Sequence, residues 1–248
     1  MSIYIYGYTL ADAPHDLEDI KGVDDCGLFM VTVGEVSAIV SSYDYERLIV
    51  KGKDIFAHQH VLQTLMSDSS LIPLQFGLTL NNLAVVESVL LRNQDVLTAQ
   101  LKRLYRKVEM ELKVRIDVDD ILDYIIEKYP HMQGEKGKIV NGRLVSYLGD
   151  RLRKCEKFEN LLKKEKDILS SQVREIVGPW CAEIKESKAI KMERDVVTYN
   201  CLVNRERLKV FEASIYEAGD KFKSELAFSF NGPWAPQNFC QLAKIEYA

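Results

Sequence analysis

Hydrophobic and polar residues in the first half of the chain alternate as they do in strands, and helical stripes separate the strands. β-Branched residues on both sides of Gly34-Glu35 predict a hairpin that turns there. Pro73 puts the last of these strands at a sheet edge or a bulge, because proline cannot donate to an inner ladder. The predicted strands are 3–8, 28–33, 36–40 and 71–76.

Two helices are predicted in the same half. The first begins with Asp54 as its cap, and the second begins at Asn82 and joins the two halves of the chain. The inward residues of the first helix are expected to be Ile55, His58, Val61, Leu62 and Leu65. Those of the second are expected to be Val85, Val89, Leu97, Leu101, Leu104 and Val108. This half therefore reads βββαβα.

The second half has the element order of a split βαβ, ferredoxin-like fold. A long helix with an apolar stripe over 148–176 is expected to end at Gly178-Pro179. Glu165 and Lys166 interrupt its stripe, and the alternating charges of 163–167 indicate a solvated face. The other elements predicted here are strand 111–116, a short helix from Asp119, strands 189–192 and 196–203, a helix over 205–218 and strand 225–230.

We therefore predict an α+β chain of two domains and a C-terminal tail. The first domain is a mixed α+β sheet domain, and the second is a modified ferredoxin-like domain with a long helical insertion. The predicted ranges are 1–108, 109–232 with the helical extension at about 119–187, and 233–248 for the tail.

The end of the chain carries an unusual aromatic and proline-rich run. The strand from Leu226 is expected to stop at Gly232-Pro233, because proline fixes φ and removes a backbone donor. The tail then contains Trp234, Pro236 and Phe239. Because exposed aromatic residues in such a run favour aggregation, we expect the tail to fold back across both domains and to bury Trp234 and Phe239.

Composition and charge indicate a folded protein without attraction for polyanions. Hydrophobic residues make up 47% and charged residues 28%, and Lys+Arg 33 against Asp+Glu 37 gives a net charge of -4. Neither nucleic acid nor a lipid membrane is therefore expected as a partner. The five cysteines form no Cys-x-x-Cys pair, which indicates reduced thiols in a cytosolic protein. The N-terminus does not resemble a signal peptide, and no apolar run has membrane-spanning length.

No motif predicts catalysis, a cofactor or a metal. In Gly134-Glu-Lys-Gly-Lys138 the gap between the glycines is too short for a phosphate loop, so a surface loop is favoured. The carboxylates of 117–120 lack the other ligands of a calcium loop, and capping of a helix by Asp119 or Asp120 explains them better.

The histidines are also better explained by structure than by chemistry. His58 and His60 would point to opposite sides of a helix and cannot share one metal. His58 is expected to be a hydrogen-bonded core residue and His60 to be more exposed. A metal site built from His15 and His131 stays an alternative.

Two segments carry a family resemblance. Leu71-Ile-Pro-Leu-Gln-Phe-Gly77 and Gly232-Pro-Trp-Ala-Pro-Gln-Asn-Phe239 resemble the LPxxFG-like and GPWPP-like segments of the GvpF/GvpL family of minor gas vesicle proteins. The resemblance covers nearly the whole chain and is nearest to GvpF. The chain departs from the family pattern at Gln75, where arginine is frequent, and at Ala235 and Gln237.

The resemblance implies a minor structural or assembly protein of the gas vesicle, the gas-filled shell that gives microbes buoyancy. Such a protein is not an enzyme and binds no cofactor. It contacts the hydrophobic shell subunit and other minor gas vesicle proteins, at the gas-facing surface of vesicles in the cytoplasm. The residues expected to make partner or interdomain contacts are Pro73, Phe76, Gly77, Gly232, Pro233, Trp234, Pro236 and Phe239.

Two alternatives come from other functional classes. A ferredoxin-like domain can bind a small-molecule effector and regulate another process, and this ligand-binding regulatory protein is the main alternative. A hydrolase that uses the scattered histidines is the second.

Overall fold

The computed structural model describes residues 2–43, 52–130, 156–188 and 192–247. The predicted loop at 134–138, the first part of the long helix from Leu148 and the residues 189–191 of a predicted strand lie outside these ranges.

The described residues form an α+β fold, as predicted, and it contains two antiparallel sheets. The strands are β1 (Ser2–Leu10), β2 (Leu28–Val33), β3 (Val36–Tyr43), β4 (Ile72–Pro73), β5 (Thr79–Leu80), β6 (Lys107–Ile116), β7 (Glu183–Glu186), β8 (Asp195–Asn204) and β9 (Leu226–Trp234). The helices are α1 (Gly52–Asp68), α2 (Leu83–Leu104), α3 (Ile121–Lys128), α4 (Glu156–Val177) and α5 (Leu208–Lys221).

These elements group into two compact units. Unit 1 consists of Met1–Met110, Leu202–Glu206 and Gly232–Ala248, and unit 2 consists of Glu111–Cys201 and Arg207–Asn231. The domain limits expected at residues 108 and 232, and the packing of the tail on the second domain, stay predictions.

The sheet of unit 1 has the strand order β2-β3-β1-β4, and β5 also pairs with β1. A bulge between Ile5 and Gly7 shifts the register of β1 against β3. Tyr4 and Tyr6 therefore pack in the cluster that contains buried residues of α1, whereas Tyr8 packs in the cluster of α2 and the tail. The bulge thus lets one strand supply tyrosines to both cores of the unit.

The structure confirms most of the predicted elements of unit 1. The hairpin turns at Gly34, whose φ is +57°. The side chain of Asn82 accepts a hydrogen bond from the Val85 N–H at 3.0 Å and caps α2. Pro73 lies in the edge strand β4, which is shorter than the strand predicted for 71–76.

Three expectations for the helices of unit 1 are wrong. Ile55 is 41% exposed and Asp54 is buried, so the inward face of α1 begins one residue earlier. Asp54 lies inside α1 instead of capping it, and its carboxylate accepts from the Asp24 N–H. α2 ends at Leu104, and Val108 lies in β6, because Arg106 adopts a φ of +53° and turns the chain.

Unit 2 contains the split βαβ arrangement that the sequence predicts. The second sheet has the order β7-β8-β6-β9, so the connections β6–β7 and β8–β9 each skip one strand. Asp120 caps α3 by accepting from the Leu122 N–H at 2.7 Å, and α4 ends at Val177 before Gly178-Pro179. β7 was not predicted, because a four-residue edge strand with the sequence Glu-Ile-Lys-Glu lacks an apolar pattern.

The solvated face predicted for 163–167 is wrong at Glu165. Its side chain is 8% exposed and continues the buried stripe of α4 between Leu162 and Leu169. The carboxylate accepts from the hydroxyls of Tyr129 at 2.9 Å and Tyr124 at 3.2 Å. Hydrogen bonding therefore explains why a charged residue interrupts the apolar pattern.

A buried carboxylate also fixes β8 in unit 2. Asp195 has a 5% exposed side chain, and its Oδ1 lies 3.3 Å from both Lys113 Nζ and Arg115 Nε. Its Oδ2 accepts from the Met192 N–H at 2.9 Å. Burial alone would raise the pKa of Asp195, but this N–H and the two cations lower it below its ordinary value.

We predict that Asp195→Asn lowers the free energy of unfolding by about 1–3 kcal/mol at neutral pH. Because the folded-state pKa is depressed, the contribution of the carboxylate is present above about pH 4 and is lost at lower pH. Denaturant titrations at pH 7 and pH 3 measure both effects. The exposed Asp220→Asn serves as control, and an equal loss for both variants would contradict the assignment.

Candidate partner-binding cleft

The C-terminal tail is part of the core of unit 1. Phe239 is fully buried and Ile245 is 6% exposed, and both pack in the apolar cluster that contains the buried residues of α2. The neighbouring Gln241 and Glu246 are exposed. The tail therefore fills a surface groove, with its anchors turned inward and its polar residues turned outward.

Two buried amide side chains of α2 bind the main chain of the tail. Asn93 donates to the Glu246 carbonyl and accepts from the Glu246 N–H, both at 2.9 Å. Gln100 accepts from the Gln241 N–H at 2.7 Å. Asn93 is 2% exposed and Gln100 is 6% exposed, so each amide would lose hydrogen bonds without the tail.

Two charged side chains complete the contact. Arg103 donates to the Phe239 carbonyl at 2.5 Å. Glu109, at the start of β6, is 3% exposed and accepts from the N–H of Asn238 at 2.9 Å and from its side-chain amide at 2.5 Å. We call Asn93, Gln100, Arg103 and Glu109 the clamp.

The clamp is not among the predicted site residues, although the apolar pattern of α2 contains a signal for it. Asn93 and Gln100 lie about two turns apart on the same apolar face of α2 as Val89, Leu97 and Leu101. A polar residue on a buried stripe requires a hydrogen-bond partner. The partner is the tail backbone, far away in sequence, and an apolar pattern cannot specify it.

The last residues of β9 are also the first residues of the tail. The predicted stop at Gly232-Pro233 is wrong, because β9 continues to Trp234. β9 lies at the edge of its sheet, where the missing donor of Pro233 is tolerated. Gly232 has a φ of +125°, and a Cβ there would lie 2.8 Å from the Glu109 carbonyl oxygen. Only glycine fits this approach without strain.

The two aromatic residues of the tail differ in burial. Phe239 is buried as expected, whereas Trp234 is 40% exposed, so the expectation that both are covered is wrong for Trp234. Pro236 is buried, and Pro233 is exposed and follows a cis peptide bond from Gly232.

Hydrogen bonds of the Tyr4 and His58 side chains support the segment 74–78. The Gly77 N–H donates to the Tyr4 hydroxyl at 2.9 Å, and that hydroxyl lies 2.9 Å from His58 Nδ1. His58 Nε2 lies 3.1 Å from the Leu74 carbonyl. Since a carbonyl only accepts, Nε2 carries a proton, and in the neutral ring Nδ1 accepts from the Tyr4 hydroxyl. His58 is thus a hydrogen-bonded core residue, as predicted.

Aromatic rings surround this hydrogen-bond chain. Tyr6 stacks on His58 with ring centroids 5.5 Å apart, and Phe76 meets His58 edge-on at 5.7 Å. Burial lowers the pKa of His58, with the Leu74 carbonyl opposing it. Burial also raises the pKa of Tyr4, and it raises that of Tyr6 to about 12. The cluster is therefore uncharged near neutral pH.

The supported segment and the tail together line a cleft of about 420 Å³ in unit 1. One wall is 74–78, and the other contains Leu242 and Tyr247. Tyr247 lies beside Tyr8, whose pKa is raised by burial and by this neighbour. The cleft therefore joins two segments that are far apart in sequence.

The structure places the predicted contact residues in different roles. Phe76 and Gly77 line the cleft. Pro73, Pro236 and Phe239 are buried beneath the surface, and Gly232, Pro233 and Trp234 are exposed and do not line the cleft. Leu242 and Tyr247 do line it, but they were not among the predicted residues.

The alternative metal site built from His15 and His131 lies partly outside the described residues, which do not include His131. Within the described ranges no group of three or more His, Cys, Asp or Glu side chains is placed to hold a metal ion. His15 Nε2 lies 3.1 Å from the Thr9 hydroxyl and 3.0 Å from the Ser69 hydroxyl. None of the helices in the described ranges has the length and apolarity needed to cross a bilayer.

Comparisons with known proteins agree on one family. The family model for "Gas vesicle synthesis protein GvpL/GvpF" matches residues 2–241. Gas vesicle protein F of a Streptomyces strain is 25% identical over an alignment 260 residues long, gaps included. The alignment covers 97% of this chain and 100% of that protein. Gas vesicle protein F of Haloferax mediterranei is 22% identical, with 97% of this chain and 94% of that protein covered.

Two crystal structures share the fold. GvpF from Anabaena sp. superposes with a TM-score of 0.80 at 20% identity, covering 97% of this chain and 98% of that chain. GvpF from Microcystis aeruginosa superposes with a TM-score of 0.77 at 21% identity, covering 97% of this chain and 99% of that chain.

We predict that the stability of the chain falls as the pH falls below about 6.5, the ordinary pKa of histidine. The folded-state pKa of His58 is lowered, so its contribution is complete above that pH and is lost as the pH falls towards the folded-state value. The slope due to this one proton is at most about 1.4 kcal/mol per pH unit.

Denaturant titrations from pH 8 to pH 5 test this prediction. His58→Gln should lower stability at pH 8 by about 1–3 kcal/mol, because it breaks the buried chain, and should flatten the pH dependence. The exposed His60→Gln should change neither. If the stability of His58→Gln changed with pH as steeply as that of the unchanged chain, the assignment of a neutral buried ring would be contradicted.

We also predict that Asn93→Ala lowers the free energy of unfolding by about 1–3 kcal/mol, because it removes two hydrogen bonds to the Glu246 main chain. Asp95→Ala, an exposed position on the same helix, should cost less than about 0.5 kcal/mol. Equal effects of the two substitutions would show that the tail does not contribute to the core.

Proposed function

This chain belongs to the GvpL/GvpF family of gas vesicle synthesis proteins, and on that premise we propose that it is a non-enzymatic structural or assembly protein that contacts the hydrophobic shell subunit. Its role lies in gas vesicles. The finer proposal is that it acts as a minor component, at the gas-facing surface, and also meets other minor gas vesicle proteins.

The observation that carries this proposal is the cleft between 74–78 and the tail. Its lining includes the partly exposed Phe76, Leu78, Leu242 and Tyr247, which offer apolar surface to a hydrophobic partner. One wall rests on the Tyr4–His58 hydrogen bonds and the other on the clamp. A preorganised surface loses little conformational entropy on binding, which favours a docking role.

The predicted contact residues divide between this surface and its supports. We propose that Phe76 and Gly77 in the cleft and the exposed Trp234 meet the partner. Pro73 and Pro236 are buried and shape the backbone below, and Phe239 anchors the tail. Gly232 and Pro233 set the path of the chain into the tail.

Binding to purified shell subunit tests the docking surface. Leu78→Ser/Leu242→Ser should weaken binding at least tenfold, because each truncated leucine loses about 1–2 kcal/mol of apolar contact. The control is Tyr216→Ser, which removes an exposed aromatic residue from α5 in unit 2. Equal binding by the leucine variant and the control would contradict the cleft as the contact site.

The location requires an experiment on whole vesicles. If the chain lies on the gas-facing surface, protease added to intact, washed vesicles leaves it uncut, and protease added after collapse under pressure digests it. Digestion in intact vesicles would contradict this location. Absence of the chain from washed vesicles, together with normal vesicles after deletion of its gene, would contradict the function itself.

A further inference from the structure

The groove that holds the tail has the features of a peptide-binding site. The clamp contacts the main chain of the tail at Asn238, Phe239, Gln241 and Glu246. Phe239 and Ile245 serve as the inward anchors. Main-chain hydrogen bonds combined with spaced apolar anchors are the way in which proteins bind extended peptides.

The tail occupies a groove that is open to solvent and follows the sheet after a very short connection. Its outer residues Gln237, Gln241 and Glu246 are exposed, so the groove opens at the surface of unit 1. β9 ends at Trp234, and Pro236 is already buried, so Ala235 alone joins the sheet to the docked tail. Short connections of this kind favour exchange of a terminal segment between identical chains, since every contact is kept after the exchange.

We propose that the groove formed by the clamp also accepts the tail of a second copy of this chain, so that exchanged tails link copies. The sequence that fits the groove is present in every copy, and each contact of the clamp has the same partner after exchange. The exchange requires no shell subunit, and an exchanged tail would supply Leu242 and Tyr247 to the cleft of the copy that receives it. It gives an assembly protein a way to join its own copies without a further interface.

Two full-length variants with complementary defects test the proposal. Gln241→Pro/Glu246→Pro removes the N–H groups that bind Gln100 and Asn93, so this chain has an intact groove and a defective tail. Asn93→Ala/Gln100→Ala has a defective groove and an intact tail. The intact groove and the intact tail then meet only between different chains.

We expect the mixture to form a one-to-one complex that is at least tenfold tighter than the self-association of either variant, measured by sedimentation velocity. Gln241→Ala/Glu246→Ala is the matched control, because it keeps the main-chain donors and its own tail fills the groove. Its mixture with Asn93→Ala/Gln100→Ala should show no such gain. Should a double variant fail to fold, Glu246→Pro and Asn93→Ala replace them at a single contact.

The proposal would be overturned if the two variants bound each other no more tightly than each variant binds itself. Equal gains with the proline and the alanine variants would also overturn it, because the association would then not depend on the released groove. Neither result bears on the proposed contact with the shell subunit, since that protein is absent from the experiment.

Discussion

Unit 1 depends on the hydrogen bonds between the buried side chains of α2 and the main chain of the tail. Asn93 and Gln100 are polar residues on an apolar stripe, and without the tail they would be buried with fewer partners. The tail in turn brings Phe239 and Ile245 into the core. The tail main chain gives the buried amides their hydrogen-bond partners, and the amides hold the apolar residues of the tail in the core. The last residues of the chain are therefore part of the fold.

A second cluster of buried polar side chains binds the main chain of the opposite wall of the cleft. Tyr4 and His58 satisfy the Gly77 N–H and the Leu74 carbonyl, and Phe76 packs on their rings. The loop 74–78 therefore has a fixed shape although it contains no regular ladder beyond the short strands beside it. The two segments that carry the family resemblance thus owe their form to buried polar partners, which give directional constraints that apolar packing does not.

The sequence was sufficient for the features that depend on local pattern. The Gly34 hairpin, the Asn82 and Asp120 caps and the end of α4 all follow from neighbouring residues. The wrong predictions concern residues whose burial or hydrogen bonding depends on residues that are far away in the sequence. Glu165 is buried because of Tyr124 and Tyr129, and the clamp binds a tail that lies beyond any periodicity of α2. Trp234 is exposed because β9 continues through Gly232-Pro233 along a sheet edge.

Native-state hydrogen exchange is the most direct measurement of whether the tail belongs to the core. The N–H groups of Gln241 and Glu246 belong to exposed residues, so a loosely attached tail would exchange them at nearly the rate of an unstructured peptide. If the clamp holds the tail as described, both should be protected to the same degree as the buried middle of α2. Fast exchange at these two positions beside a protected α2 would contradict the account.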